Sequence, residues 1–201
     1  TNLTKEGACW RVEVKDLTTK ERYSTKAKFV FIGAGGGSLP LLQKSGIKES
    51  KGFGGFPIGG QWLICDKPEI VNKHLAKVYG LSPGAAPTMA VPHLDTRIID
   101  GKKSILFGPY AAWTTKFLHV EGKLTDLPRS IRTDNIASLI KVGLYNIPLV
   151  RYLIQQGTQS MKTRMKELKA FFPDAREGDW RLIDAGIRVQ AIKNEDGDAG
   201  I

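Results

Sequence analysis

The chain has 201 residues, of which 41% are hydrophobic and 25% charged, as in globular proteins that bury a core. This composition excludes intrinsic disorder, and no apolar stretch reaches the roughly 18 residues that a transmembrane helix needs. The net charge of +10 suits nucleic acid, an anionic membrane surface or a small anionic substrate. The basic residues are scattered and no nucleic-acid-binding motif is present, so we expect no nucleic-acid partner.

The two cysteines and the chain ends restrict the class of protein further. Cys9 and Cys65 lie far apart without CxxC or Cys/His spacing, which predicts reduced thiols and no metal site. The chain opens without a signal peptide and stops at 198–201, just after a predicted strand and turn. We therefore expect an internal piece of a longer protein.

The first 51 residues are predicted to be part of an α/β domain. Apolar and polar residues alternate over 9–17, which predicts a strand, and a turn at 18–21 leads into a returning strand at 22–25. The continuous apolar run 29–32 is typical of a strand buried on both faces in a parallel sheet. A helix is expected to begin near Ser38.

The middle of the chain reads as a mainly antiparallel sheet with helices. We predict a strand over 59–65, a short helix over 68–77 and a strand pair over 88–99 and 104–107. The pair is turned by the dipeptide at 100–101, an Asp-Gly sequence that is the strongest short hairpin signal in the chain.

A helical pattern follows, and its apolar face has two explanations. Residues 134–172 have period 3.6, Asn135 or Asp134 can cap the start, and Pro148 must kink or split the helix. The apolar residues on one face are Ile136, Leu139, Ile140, Leu144, Ile147, Val150 and Ile154. We favour burial in the core over a membrane interface for this face. A helix over 159–171 and a strand over 180–193 complete the prediction, so the fold class is α+β.

A glycine cluster is the first candidate site. Gly33, Ala34, Gly35 and Gly36 follow the predicted buried strand, where backbone without side chains can approach a bound group closely. The third glycine of a dinucleotide fingerprint is missing, because position 38 is Ser. A plain strand-to-helix turn explains the cluster equally well.

The second candidate site lies on the predicted hairpin. His93 and Arg97 are four residues apart on a strand, so both side chains project to one face. Arg can hold a carboxylate and His can take a hydroxyl proton near neutral pH, which suits oxidation of a hydroxy acid. Asp95 shares the face and could orient the imidazole, and Gly108 and Pro109 offer close backbone approach. The alternative is a structural histidine.

The third candidate is on the last strand. Arg188 and Gln190 share a strand face and could form a second clamp for an anion. A surface arginine with no such role is the alternative.

Five segments in this order resemble the malate:quinone oxidoreductase family, which is related to D-amino-acid oxidase and 2-hydroxyglutarate dehydrogenases. They are FVFIGAGGGSLPLLQKSGI at 29–47, GFPIGGQWL at 55–63, VPHLDTR at 91–97, LFGPYA at 106–111 and DAGIRVQ at 184–190. Any one of them is weak evidence for the resemblance, whereas five in order are specific.

The resemblance implies a flavoprotein, with residues 1–51 in a Rossmann-like FAD-binding domain. Residues 52–183 would form the substrate domain, and 184–201 its last strand leading back. The family oxidises (S)-malate to oxaloacetate and reduces membrane quinone without NAD, as peripheral membrane proteins. The resemblance therefore implies a cytoplasmic protein at the inner face of the bacterial cell membrane.

The resemblance also implies where cofactor and substrate would lie. FAD would meet the glycines at 33–36 and the loop at 106–111, which carries Gly108 and Pro109. His93, Arg97 and Arg188 would frame malate, and their roles follow from side-chain chemistry. We expect hydride transfer from C2 of malate to flavin N5, with His93 as base.

The family's first βαβ unit, with its pyrophosphate-binding glycines, is absent from this sequence. We therefore expect the chain alone to be colourless and inactive. The rival interpretations are a related FAD-dependent 2-hydroxy-acid dehydrogenase, a non-catalytic dicarboxylate-binding piece and, last, a basic membrane- or RNA-binding module.

Overall fold

A computed structural model describes residues 2–81, 91–195 and 198–200 of the chain, with side chains described as far as residue 193. The strands are β1 (Asn2–Glu6), β2 (Cys9–Lys15), β3 (Arg22–Ala27), β4 (Gly54–Cys65), β5 (Lys77–Tyr79), β6 (His93–Ile99), β7 (Lys102–Trp113), β8 (Arg181–Glu195) and β9 (Asp198–Gly200). The α-helices are α1 (Ser38–Ser45), α2 (Pro68–Val71), α3 (Asp126–Ser130), α4 (Ile136–Tyr145), α5 (Ile147–Gly157) and α6 (Met161–Phe171).

The chain forms two units. The first contains Thr1–Pro57, Thr115–Ile147 and Ile187–Ile201, and the second contains Ile58–Thr114 and Pro148–Gly186. The structure confirms the α+β class, because helices accompany sheets whose registered pairs are antiparallel. The domain division of the longer protein stays a prediction.

The first unit begins with an antiparallel meander in the order β1-β2-β3. Strands β2 and β3 confirm the predictions, and Asp16 holds the turn between them by accepting hydrogen bonds from the backbone N–H groups of Thr18 and Thr19 at 2.7 and 2.9 Å. Strand β1 was not predicted, because Leu3 is its one apolar side chain and no alternation marks it.

The prediction of a buried strand over 29–32 is wrong for this chain. The residues have no regular structure, and the side chains of Phe29 and Phe31 are 79% and 83% exposed. A strand buried in a parallel sheet needs neighbours to satisfy its backbone groups, and no strand in the described part of the chain pairs with this run. Helix α1 nevertheless begins at Ser38, as predicted.

Two glycines permit close packing in the first unit. A Cβ atom on Gly36 would lie 1.9 Å from the carbonyl oxygen of Phe117 and 2.8 Å from a methyl of Val189. A Cβ atom on Gly55 would lie 2.7 Å from Leu39 and 2.8 Å from another methyl of Val189. Both glycines are therefore required by the approach of neighbouring chain, because no side chain fits at these distances.

The second sheet has the strand order β5-β6-β7-β4-β8-β9. Its β6–β7 hairpin confirms the predicted turn, since Asp100 and Gly101 have φ values of 49° and 78° and a type I′ turn needs positive φ at both positions. Residues 88–90 of the predicted strand lie outside the described residues. The final predicted strand is confirmed as β8.

The core of the second unit lies between the sheet and helix α6. The buried residues that form it are Leu63, Cys65, Val71, Leu94, Ile105, Phe107, Tyr110, Met165, Leu168, Ala175 and Trp180. Strand residues in this set alternate with residues that face the opposite side of the sheet. That opposite side carries the candidate site.

The helices depart from prediction in length and in exposure. The helix expected over 68–77 is confined to α2, and the expected long helix is split at Asn146, with Pro148 in the first turn of α5. The prediction that its apolar face is core is wrong for α4, because Ile136, Ile140 and Leu144 are exposed. Among the described residues no single helix is long and apolar enough to span a membrane, although α4 and α5 together have the required length and composition.

Candidate active site

Strand register places four side chains of the candidate site side by side in the second unit. In the antiparallel pair of β5 and β6, Tyr79 lies opposite His93 and Lys77 lies opposite Asp95. Directly opposed residues on one sheet face are close enough for their side chains to interact. The ring centroids of Tyr79 and His93 are accordingly 5.0 Å apart, and Lys77 Nζ lies 3.3 Å from Asp95 Oδ2.

A glycine on the strand between β4 and β6 lets Trp62 reach His93. Gly108 of β7 lies opposite His93 and has no side chain to intervene. A Cβ atom there would lie 3.2 Å from the Trp62 ring, in a backbone conformation with φ of +147°. The indole instead meets the imidazole edge to face, with centroids 4.8 Å apart. Gly108, predicted to contact a cofactor, therefore has a packing role at His93.

Asp95 binds the two cations of the site and does not orient the imidazole. Its Oδ2 accepts a hydrogen bond from Arg97 Nε at 2.5 Å and the ion pair from Lys77 at 3.3 Å. The Asp95 side chain is 7% exposed, whereas those of Arg97 and Lys77 are 45% and 40% exposed. The terminal nitrogens of Arg97 and the remaining N–H groups of Lys77 can therefore bind an anion from solution.

The environment of His93 favours a neutral imidazole. Partial burial lowers the pKa of His93, and the positive charges of Lys77 and Arg97 lower it further, against opposing effects of the Val91 carbonyl and Asp95. The Nδ1 atom lies 3.5 Å from the Val91 carbonyl oxygen, a long contact. With the proton on Nδ1, the lone pair of Nε2 is available to accept a proton.

The carboxylate of Asp95 is stabilised as an anion. Burial raises the pKa of Asp95, but hydrogen bonds from Arg97 and Lys77 outweigh burial and hold the pKa below its ordinary value of 3.8. The ionised Asp95 carboxylate therefore stabilises the fold above pH 3.8, and this stabilisation is lost as the pH falls through the folded-state pKa.

We expect Asp95→Asn to lower the free energy of unfolding by about 1 kcal/mol at pH 7, because Arg97 and Lys77 are partly solvated. The difference from wild type should vanish below the folded-state pKa of Asp95, where the carboxyl group is neutral. Urea unfolding from pH 7 down to the lowest pH at which the wild type stays folded measures how the difference changes with pH. Asp100→Asn is the matched control, because Asn is also favoured in a type I′ turn. A difference that does not shrink over this range would contradict the ion-pair explanation.

The predicted glycine site lies in the first unit beside a cavity of about 320 Å³. Gly35 and Gly36 line this cavity, together with Ile32, Ser38, Leu39, Leu42, Phe53, Val189 and Ala191. Gly35 has φ of +53°, so glycine is required there for the turn. Gly33 and Ala34 precede the cavity and are not among the residues that line it.

Two predicted ligands, Arg188 and Gln190, lie on β8 within the first unit, with Arg188 exposed and Gln190 half-buried. The structure brings together His93 and Arg97 within the second unit. The joint role of all these residues stays a prediction.

Sequence reasoning missed three side chains of the site: Trp62, Tyr79 and Lys77. Trp62 stands in the segment 55–63 that carries the family resemblance, but nothing local places it beside His93. Lys77 was assigned to a helix, because a three-residue strand such as β5 has too few residues for a periodic pattern. The pairing of β5 with β6 places Lys77 and Tyr79 in the candidate site.

Comparison with known proteins identifies the family. The family model described as malate:quinone oxidoreductase matches residues 1–201. The chain is 54% identical over its whole length to a probable malate:quinone oxidoreductase 2 of Pseudomonas aeruginosa and 53% identical over 99% of its length to a probable malate:quinone oxidoreductase 1 of Pseudomonas putida. A probable malate:quinone oxidoreductase of Flavobacterium johnsoniae is 51% identical over 98% of the chain.

The chain spans 39% of the length of each of these curated relatives. The match extends from end to end of the chain and includes both the glycine cluster and the cluster around His93. The chain therefore belongs to the malate:quinone oxidoreductase family.

Proposed function

We propose that the chain is part of a flavin-dependent enzyme that oxidises (S)-malate to oxaloacetate and passes the electrons to membrane quinone without NAD. One observation supports this most: a half-buried imidazole of lowered pKa lies beside two solvent-accessible cations, within a chain whose relatives are described as malate:quinone oxidoreductases. A proton acceptor next to anion-binding groups is the arrangement that oxidation of a hydroxy acid requires.

In the proposed reaction malate loses a proton from its hydroxyl group and a hydride from C2. Nε2 of His93 takes the proton, and Trp62 and Tyr79 fix the plane of the imidazole ring from two sides. Arg97 binds one carboxylate through its terminal nitrogens, because Nε is engaged by Asp95. The hydride would go to bound FAD, the cofactor that would supply the electron transfer to quinone.

Lys77 is proposed to bind the second carboxylate of malate. Malate carries two carboxylates, and Lys77 is a second accessible cation that shares Asp95 with Arg97. Asp95, Lys77 and Arg97 together carry a net charge of +1, which attracts a dianion. Arg188 and Gln190 are proposed as further substrate ligands on chemical grounds, since an exposed guanidinium and an amide suit a carboxylate.

The residues beside the glycine cluster fit part of an FAD molecule. The cavity of about 320 Å³ is at the lower end of the range for ligand pockets, about 300–1,000 Å³, so it suits one portion of a dinucleotide. Gly35 lies at its wall, and Leu39 and Leu42 make the wall apolar. We propose that Gly35 and Gly36 border the flavin nucleotide, with Gly33 and Ala34 next to them. Gly108 and Pro109, which belong to the second unit, stay predicted cofactor-binding residues on the basis of the resemblance alone.

The proposed location is the cytoplasmic face of the bacterial inner membrane, with peripheral contact and no nucleic-acid partner. Quinone supports the location, because a lipid-soluble acceptor resides in the bilayer. The scattered distribution of the 30 basic residues supports the absence of a nucleic-acid site.

The test is malate-dependent reduction of a water-soluble quinone-analogue dye without NAD, by this chain and by the full-length gene product loaded with FAD. We expect activity in the full-length protein and none in this chain, which should also be colourless. An FAD-loaded full-length protein that is inactive with malate but oxidises another 2-hydroxy acid would transfer the assignment to a related dehydrogenase. Calorimetric binding of malate by a chain that lacks redox activity would favour a dicarboxylate-binding piece.

A further inference from the structure

Trp62 contacts two side chains of the candidate site that do different work. Its indole meets the His93 imidazole at an interplanar angle of 76°, with ring centroids 4.8 Å apart. The Cζ atom of Arg97 lies over the same indole, 5.5 Å from the ring centroid. The first contact is an edge-to-face ring pair and the second is a cation–π contact. One side chain from β4 therefore joins the candidate base and the candidate carboxylate-binding group on β6.

A β-bulge beside Trp62 directs the indole to this place. The neighbours of Trp62 on β4, Gln61 and Leu63, pair with residues of β7 that are three positions apart. Two residues of β7, Gly108 and Pro109, therefore face the single residue Trp62. A bulge bends its strand and changes the direction in which a nearby side chain points, which is why bulges occur next to active sites.

Hydrogen bonds on the opposite face of the sheet hold β4 immediately before Trp62. Oε1 of Gln61 accepts a hydrogen bond from Arg164 Nη1 at 3.0 Å, and Nε2 of Gln61 donates one to Asp184 Oδ1 at 2.9 Å. Arg164 is 2% exposed, and its Cζ atom lies 4.6 Å from the centroid of the Tyr110 ring. Successive side chains of a strand point to opposite faces, so these contacts fix the backbone at Trp62 from behind the site.

We propose that Trp62 is a positioning residue of the candidate site: it shields His93 from water and holds the Arg97 guanidinium in a fixed place beside the base. The proposal rests on the proposed function, because it needs a reaction in which the base and the carboxylate-binding group act on one substrate. Nε of Arg97 is already engaged by Asp95. The indole restricts the guanidinium further, so that its terminal nitrogens keep one direction for the carboxylate.

The shielding of His93 has a consequence for pH dependence. In the described part of the chain, the titratable groups that face His93 are Lys77 and Tyr79 on β5 and Asp95 and Arg97 on its own strand. Loss of the indole leaves all of these groups in the protein and exposes the imidazole to water. Because burial is the largest cause of the lowered pKa of His93, exposure raises this pKa toward 6.5. Release of Arg97, whose positive charge lowers the same pKa, acts in the same direction.

The experiment compares three variants of the full-length, FAD-loaded protein with wild type. Trp62→Leu removes both ring contacts, and Trp62→Phe keeps an aromatic ring at the same place. Trp113→Leu is the matched control, because it makes the same substitution at a residue that is 51% exposed. Trp113 lies five residues beyond Gly108 on β7, which is roughly 16 Å along the strand.

The first readout is the titration of His93, followed by NMR with histidine-selective labelling. The His93 signal is identified by its absence from His93→Ala. We expect the midpoint to move upward toward 6.5 in Trp62→Leu, and to stay near the wild-type value in Trp62→Phe and Trp113→Leu.

The second readout is dye reduction over a range of malate concentrations and pH. KM for malate should rise about three- to tenfold in Trp62→Leu, because Arg97 loses its cation–π contact. The acid limb of kcat/KM should move upward together with the NMR midpoint. Trp62→Phe should restore most of both losses, and Trp113→Leu should match wild type.

Trp62→Leu with a wild-type titration of His93, or with a wild-type KM, overturns the proposal. A Trp62→Phe variant that behaves like Trp62→Leu also overturns it, because the aromatic ring would then not be the group responsible. The Tm of each variant shows whether it is folded. If Trp62→Leu is not, Trp62→Met, which fills more of the same volume, is measured in its place.

The NMR readout separates this proposal from the proposed function, because it needs no turnover. An upward shift in Trp62→Leu, in a protein that has no malate activity, refutes the function and retains Trp62 as the residue that shields His93. Malate activity with an unmoved titration of His93 in Trp62→Leu retains the function and refutes the positioning role.

Discussion

Replacement of His93 by Ala in the full-length, FAD-loaded protein is expected to lower kcat for malate by about 100- to 10,000-fold, the usual contribution of a positioned general base. KM for malate should change little, because the proposed carboxylate-binding groups, Arg97 and Lys77, are retained in this variant. Steady-state dye reduction over a range of malate concentrations measures both constants. The same substitution at the exposed residue His119 is the matched control and should leave both unchanged.

The pH dependence of the wild-type enzyme provides an independent check on His93. Burial lowers the pKa of His93 below its ordinary value of 6.5, so the imidazole is neutral and able to accept a proton at neutral pH. The acid limb of kcat/KM should therefore fall below pH 6.5, and it should be absent from the residual activity of His93→Ala. An unchanged kcat in a variant that keeps its thermal stability would remove His93 from the role of base.

The thermal control is needed because His93 also packs between two aromatic rings. Trp62 and Tyr79 lie 4.8 and 5.0 Å from the imidazole centroid, and such ring contacts are each worth about 1 kcal/mol. Loss of activity together with a much lower Tm would reflect this packing. Loss of kcat at nearly constant Tm would reflect chemistry.

Local signals in the sequence predicted the local structure well. The Asp100-Gly101 turn requires two positive φ angles, and that dipeptide tolerates them, so the β6–β7 hairpin was predictable. The period of two along β6 was enough to place His93 and Arg97 on one face. Pro148 was enough to divide the long helical pattern, since proline within a helix removes a backbone donor.

Non-local pairing determined what the sequence could not predict. Lys77 and Tyr79 join the site because β5 pairs with β6, although the sequence of β5 resembles the end of a helix. Trp62 joins the site from β4, because Gly108 between the two strands has no side chain. The run 29–32 has the composition of a buried strand, but burial depends on partners that composition cannot specify. For the same reason, an apolar helical face predicts burial but does not identify the partner that buries it. Ile140, on the predicted apolar face of α4, is exposed in this chain.

Whether the glycine cluster is required for packing within the chain can be tested by adding a single methyl group. Gly36→Ala in this chain is expected to lower the free energy of unfolding by about 3 kcal/mol, because the added Cβ would lie 1.9 Å from the carbonyl oxygen of Phe117 and 2.8 Å from Val189. Backbone cannot yield as a flexible side chain can, so the clash must move the segment that contains Phe117. Urea unfolding of the chain without cofactor measures the effect.

Gly37→Ala is the control for this prediction, since its nearest neighbours would lie 3.7 Å away, an ordinary contact distance. Its free energy of unfolding should remain within about 0.5 kcal/mol of wild type. If Gly36→Ala is as stable as wild type, and the full-length variant instead loses FAD, then Gly36 provides space for the cofactor alone. A destabilised chain would show that the backbone around Gly36 must first pack against Phe117 and Val189, and that any flavin contact at Gly35 depends on this packing.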